Sequence, residues 1–135
     1  MKIFLYDAET DYKETDYEVE LDIALDEFYE LSDVDGSFFG VMDSNDKILQ
    51  FAWEDDDKWL VDIPIEPGKY SLQKYASYDE GVDLIKGYYQ GKSLTEIAGL
   101  HRVPIMEATL DDVLAQHGST IGRTLWAGIA QRFPT

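Results

Sequence analysis

The densest group of chemically active side chains in the sequence is a run of four acids at residues 54–57, flanked by Trp53 and Trp59. Carboxylates this close together can coordinate a cation, exchange a proton with a substrate or attract a basic protein. A second acidic stretch lies between Asp7 and Glu20, where tyrosines are interleaved with the acids. The spacing of the acids decides which of these chemistries is favoured.

Neither acidic stretch has the spacing of a metal site. A calcium loop needs oxygen ligands at alternate positions, followed by a glycine and a later glutamate, whereas Asp55 and Asp57 run into Trp59. The chain has no cysteine, only two histidines, His101 and His117, and no glycine-rich phosphate loop. We therefore predict that the protein is not an enzyme and that it holds no metal and no cofactor.

The net charge of the chain is concentrated in its first two-thirds. The whole sequence has 28 acidic and 11 basic residues, a net charge of −17. Residues 1–90 contain 24 of the acids and 7 lysines, whereas residues 91–135 contain four acids and four bases. Such a field attracts basic partners and repels nucleic acids and anionic membranes. We therefore expect a basic protein partner, with no direct nucleic-acid or membrane binding.

The elements that would position these acids follow from the hydrophobic period. Apolar residues at helical spacing from Leu21 to Leu31 predict a helix, and residues 32–36 predict the turn that ends it. Ser77 and Glu80 have the spacing of a capping box, which predicts a second helix at 78–90. Alternating apolar residues predict strands between the helices, because successive side chains of a strand point to opposite faces. The predicted strands are at 2–6, 37–43, 47–53, 58–65 and 69–75.

These elements predict an α+β fold, in which an antiparallel β-meander of four to five strands packs with helices. Capping patterns at Ser93 and Thr109, and an apolar stripe from Ile121 to Phe133, predict that the C-terminal third is helical. We expect one domain over residues 1–135, made of an acidic α+β part at 1–91 and a neutral helical extension at 92–135. The short apolar start lacks the length of a signal peptide, which predicts a cytoplasmic protein.

The segment from about residue 20 to residue 91 resembles small acidic immunity proteins that are encoded beside bacterial polymorphic or contact-dependent toxins. The resemblance consists of a helix, a strand pair, a strand with tryptophan, aspartate and proline, and a final helix with an aromatic end. The residues that carry it are Gly40, Asp43, Leu49, Gln50, Phe51, Trp59, Asp62, Pro64, Tyr78, Asp79, Glu80, Tyr88 and Tyr89. The resemblance implies a non-enzymatic inhibitor that binds a cognate toxin and blocks its active site or another essential surface.

Both acidic stretches are candidate contact surfaces for such a partner. Carboxylates speed association with a basic surface, and aromatic side chains beside them can be buried anchors of an interface. The predicted partner-binding residues are Asp11, Tyr12, Glu14, Asp16, Tyr17, Glu54, Asp55, Asp56, Asp57 and Trp59.

Two other functions are compatible with the sequence. The acids between Asp7 and Glu20 can imitate a row of phosphates, as in an inhibitor that mimics nucleic acid and occupies a DNA-binding or defence enzyme. Alternatively, the chain is an enzyme or a small-ligand protein with a pocket near His101, between the sheet and the C-terminal helix.

Overall fold

A computed structural model describes residues 1–66, 68–105 and 107–116. Its strands form a seven-stranded sheet in the order β2-β1-β3-β4-β5-β6-β7, and all neighbouring strands are antiparallel. The described elements are β1 (Lys2–Asp7), β2 (Tyr12–Glu18), α1 (Leu21–Glu30), β3 (Phe38–Met42), β4 (Ile48–Asp55), β5 (Lys58–Glu66), β6 (Tyr70–Ala76), α2 (Tyr78–Tyr89), a 3-10 helix (Leu94–Glu96), β7 (His101–Pro104) and α3 (Leu110–Gln116).

One face of the sheet forms the core beneath α1 and α2. Phe39, Phe51 and Val61 lie opposite one another on β3, β4 and β5 and are at most 1% exposed. Phe28 of α1 brings its ring centroid to 5.0–5.2 Å from those of Phe39, Phe51 and Trp59. Burial of each large apolar side chain stabilises the fold by about 1.5–3 kcal/mol, so this aromatic cluster fixes α1 on the sheet.

The predicted ends of α2 are confirmed. Ser77 and Glu80 form the reciprocal hydrogen bonds of a capping box. At the other end, Gly91 has a φ of 89°, and the N–H groups of Gly91 and Lys92 donate to the carbonyls of Tyr88 and Gly87. These bonds satisfy the last free carbonyls of the helix. Among the described residues, none of the helices has the length and apolar character needed to cross a membrane.

The predicted architecture was wrong about the sheet and the C-terminal third. The sheet has seven strands rather than four to five, because β2 and β7 lie at its two edges. All residues of β2 but one are exposed, so that strand needs no apolar alternation and its sequence resembles a loop. In place of a helical extension, the described part of residues 92–135 adds β7 to the sheet and has two short helices.

The capping predictions in this region had different outcomes. Thr109 and Asp112 exchange hydrogen bonds at the start of α3, as predicted. The side chain of Ser93 makes no capping bond to the 3-10 helix that follows it. The predicted helix over 121–133 lies outside the described residues.

The second face of the sheet is partly covered. Val103 of β7 packs with Leu110 and Val113 of α3. Near the other edge, Phe4 lies opposite Gly40, and its ring fills the space above the glycine. A Cβ atom at Gly40 would lie 2.0 Å from Cζ of Phe4, so only glycine fits beneath this ring.

Candidate acidic binding surface

Three connections meet at one end of the sheet: β1–β2, α1–β3 and β4–β5. Ser37 joins them, because its carbonyl accepts a 3.0 Å hydrogen bond from the N–H of Trp53 and its Oγ accepts a 2.9 Å bond from the N–H of Ala8. The connections, together with the last two residues of β4, carry eight exposed carboxylates, which we call the acidic rim. The acidic rim consists of Glu9, Asp11, Asp33, Asp35, Glu54, Asp55, Asp56 and Asp57.

Asp7 lies beside the acidic rim, but its side chain is buried and stabilises the fold. It accepts hydrogen bonds from the backbone N–H groups of Glu9, Thr10 and Ser32 and from Oγ of Ser32. Burial raises the pKa of Asp7, and the four hydrogen bonds outweigh that effect, so that its pKa lies below the ordinary value. The charged carboxylate therefore ties the β1–β2 turn to the end of α1.

The β4–β5 turn presents the acids of the 54–57 run. Asp55 pairs with Lys58, and the two residues between them, Asp56 and Asp57, have φ angles of 43° and 55°. A two-residue loop with positive φ at both positions is the arrangement that matches the twist of a hairpin. Oδ1 of Asp57 accepts a 2.9 Å hydrogen bond from the N–H of Tyr78, which fixes the turn against the start of α2.

Lysine compensates little of this charge. Nζ of Lys58 lies 3.7 Å from Oδ1 of Asp55 and 4.5 Å from the ring centroid of Tyr75. An exposed ion pair of this kind contributes at most about 1 kcal/mol. Burial raises the pKa of Glu54, Lys58 opposes that increase, and the charges of Asp111 and Asp55 add to it. The neighbouring acids thus add to the effect of burial on the pKa of Glu54.

The structure separates the predicted residues of the first acidic stretch. Asp11 belongs to the acidic rim, whereas β2 carries the others along the edge of the sheet. Tyr12 donates to Glu14 at 3.1 Å, and burial, followed by this bond and the charge of Glu27, raises the pKa of Tyr12 to about 12. Tyr17 lies opposite Ile3, away from the rim. Asp11 is therefore the predicted acid of the first stretch that belongs to the acidic rim together with residues 54–57.

A bulge interrupts β2 between these residues. Leu5 pairs with Glu14 and Ile3 with Tyr17, so that Thr15 and Asp16 together face one residue of β1. Asp16 has a φ of 52°. Bulges and charges protect an edge strand from pairing with another chain, so the backbone edge of β2 is poorly suited to accept a partner strand.

Trp59, predicted as an interface anchor, is a core residue. It is 2% exposed, and its ring packs against Phe28 at 5.0 Å and Trp53 at 5.3 Å between centroids. Tyr12 and Tyr17, by contrast, are 46% and 41% exposed. Trp59 therefore packs beneath the acidic rim and is not an exposed interface anchor.

Sequence reasoning missed the aromatic side chains beside the acidic rim. Tyr29 of α1 is 74% exposed, and its ring lies 6.1 Å from that of Tyr78. The signal for Tyr29 was present, because a large aromatic residue lies outside the apolar stripe of α1. Asp33 and Asp35 belong to a segment that the sequence identified only as a turn. Its proximity to residues 54–57 depends on the order of the strands.

Within the part of the chain that the structure describes, no group of three or more His, Asp or Glu side chains has the arrangement of a metal site. Comparisons with protein-family models, curated proteins and solved structures found no match. The function of the chain is therefore inferred from the geometry and charge of its own residues.

Proposed function

We propose that the protein is an immunity-type binding protein that neutralises a cognate bacterial toxin by covering a basic surface of that toxin. The observation that carries this proposal is the convergence of eight exposed carboxylates, from three connections and the end of β4, at one end of the sheet. Such a charge distribution accelerates encounter with a basic partner and favours one orientation of docking. The proposed activity requires neither catalysis nor a cofactor.

The acidic rim is held in place before any partner arrives. Asp7 fixes the β1–β2 turn to Ser32, Ser37 accepts the N–H of Trp53, and Asp57 accepts the N–H of Tyr78. A surface that is already ordered loses less conformational entropy on binding. We infer that the protein acts in the cytoplasm, where it would protect the cell that makes the toxin.

A second candidate function is an inhibitor that mimics nucleic acid. The exposed Asp16 and Glu18 of β2 extend the negative charge of Asp11 along the edge of the sheet. A DNA-binding or defence enzyme with an elongated basic channel would contact this whole row. The toxin complex would instead depend on the acidic rim.

The direct test uses the product of the gene adjacent to that of this protein as the candidate toxin. Co-expression should restore growth, and the two purified proteins should associate faster at low salt than at high salt. Substitution of both Asp55 and Asp56 by Asn should slow association and leave the fold intact, because neither side chain caps α2. If the adjacent product neither binds nor inhibits growth, the toxin proposal is wrong.

A matched control removes the same charge from the opposite end of the sheet. Asp46 lies in the β3–β4 turn and Glu66 at the β5–β6 turn, and both are exposed. The double variant Asp46→Asn/Glu66→Gln should keep the association rate near that of the unmodified protein. Equal slowing by the two double variants would show that net charge alone acts. Slowing only by Asp16→Asn/Glu18→Gln would place the toxin contact on β2 and contradict the role of the acidic rim.

A further inference from the structure

A small cavity opens beside the acidic rim, between the end of α1, the start of α2 and the β4–β5 turn. Its volume is about 180 Å³. Seven described residues line it: Phe28, Tyr29, Leu31, Asp33, Asp57, Trp59 and Tyr78. We call it the aromatic–acidic pocket, because four of these residues are aromatic and two are acidic.

The aromatic side chains of the pocket hold one another in position. The rings of Phe28 and Tyr78 are stacked, with centroids 5.1 Å apart and an interplanar angle of 17°. Trp59 and Phe28 are 2% and 1% exposed, so they form the buried part of the lining. Tyr29 is 74% exposed and meets Tyr78 edge-on at 6.1 Å. The base of the pocket is therefore formed by buried, packed rings, and the pocket is accessible at Tyr29.

The charge of the pocket is negative. Asp33 and Asp57 are both exposed, and the hydrogen bond to Tyr78 uses only Oδ1 of Asp57. None of the described residues that line the pocket is Lys, Arg or His. Burial, followed by the effect of Tyr29 and the charges of Asp79 and Asp26, raises the pKa of Tyr78. Its phenol therefore stays neutral at physiological pH.

Aromatic rings and carboxylates together favour a cation over other ligands. The ring quadrupole attracts a positive charge near the aromatic face, and a carboxylate adds a charge-assisted hydrogen bond. Among protein side chains, arginine suits both, because its planar guanidinium stacks on aromatic rings and donates two parallel bonds to a carboxylate.

We propose that the aromatic–acidic pocket binds an arginine side chain of the protein's basic partner. The identity of the partner rests on the proposed function, whereas the preference of the pocket for a cation does not. Asp33 and the free oxygen of Asp57 pair with the guanidinium, and Tyr29 and Tyr78 contact its planar group. The pocket thus supplies an anchor point within the otherwise diffuse field of the acidic rim.

The pocket can be tested without the partner. The test ligand is the peptide acetyl-Gly-Arg-Gly-amide, and its control is the same peptide with citrulline, which has nearly the same shape but no charge. Titration of the isotope-labelled protein, followed by NMR, should shift the amide signals of Tyr29, Asp33, Asp57 and Tyr78 with the arginine peptide only. Equal shifts with citrulline, or shifts spread evenly over the acidic rim, would refute a specific arginine site.

Matched variants separate the pocket from general electrostatics. Asp33→Asn should weaken binding of the arginine peptide about two- to fivefold, whereas Asp35→Asn, in the same loop but outside the pocket, should leave it nearly unchanged. Likewise Tyr29→Ala should weaken binding by a similar factor, and Tyr17→Ala, which removes an exposed tyrosine of β2, should not. The same loss in both members of a pair would overturn the proposal.

The two proposals can fail separately. If the arginine peptide binds the pocket but no adjacent-gene product binds the protein, the toxin proposal fails and the cation site stands. If the toxin binds and neither Asp33→Asn nor Tyr29→Ala accelerates its dissociation, the toxin proposal stands and the assignment of the pocket to a partner arginine is wrong.

Discussion

Oδ1 of Asp57, in the β4–β5 turn, accepts a 2.9 Å hydrogen bond from the backbone N–H of Tyr78, the first residue of α2. The first N–H groups of a helix have no partner within the helix, and a carboxylate there also opposes the positive end of the helix dipole. An acid that is exposed in a hairpin turn therefore stabilises a helix 21 residues away in the sequence.

This bond reverses the usual expectation for a glycine substitution in a hairpin. Asp56 and Asp57 both have positive φ, so glycine should relieve strain at either position. We expect Asp56→Gly to be neutral or stabilising, whereas Asp57→Gly should be less stable than Asp56→Gly by about 1 kcal/mol, because it loses the cap. Urea denaturation of the two variants measures the difference. A more stable Asp57→Gly would show that the bond to Tyr78 contributes little.

Asp7 gives a prediction for acid stability. Because its pKa is lowered in the folded state, its contribution is present above the unfolded value of about 3.9 and is lost as the pH falls through the folded pKa. Asp7→Asn should destabilise the protein at pH 7 by about 2 kcal/mol, since the amide NH2 that replaces Oδ2 would face the N–H of Ser32 and leave that donor without its acceptor. The unfolding free energy of the Asp7→Asn variant should then change less between pH 5 and pH 2 than that of the unmodified protein.

Gly40 and Phe4 give a prediction of non-additivity. A methyl group at Gly40 would overlap the ring of Phe4 and force it from its position, so Gly40→Ala should cost about 1–3 kcal/mol. In a Phe4→Ala background the space is empty, and Gly40→Ala should then be neutral or stabilising. A double-mutant cycle of thermal unfolding measures this coupling. Additive effects would contradict a direct contact between ring and glycine.

Glu27 of α1 should oppose folding at neutral pH. Burial raises its pKa, and the charges of Glu30, Glu14 and Asp26 add to this effect. Because the pKa of Glu27 is raised in the folded state, its protonated side chain stabilises the fold below the unfolded pKa of about 4.3. This contribution is lost as the pH rises through the folded pKa. Glu27→Gln should therefore raise the unfolding free energy at pH 7. Stability curves of the two proteins should converge below about pH 4, and a gain that persists there would have another cause.

Several features of the fold were predictable from spacing alone. The capping pairs at Ser77 and Thr109 set the starts of α2 and α3, and alternating residues predicted β3 to β6. These signals lie within a few residues of one another, so they do not depend on the rest of the chain. β2 and β7 were missed because neither has a run of alternating apolar residues. β2 is an exposed edge strand, and β7 has only four residues.

The sequence by itself determined the charge, the main helices, the central meander and the presence of a connection between the strands of Trp53 and Trp59. Only the tertiary structure decided what each acid does: Asp7 is buried and bonded to Ser32, Asp57 caps α2, and Asp33 lines an aromatic cavity with Tyr78. A side chain's type and neighbours in sequence fix its local conformation. Its exposure and hydrogen-bond partners depend on residues brought together by strand order and helix packing, which local spacing does not encode.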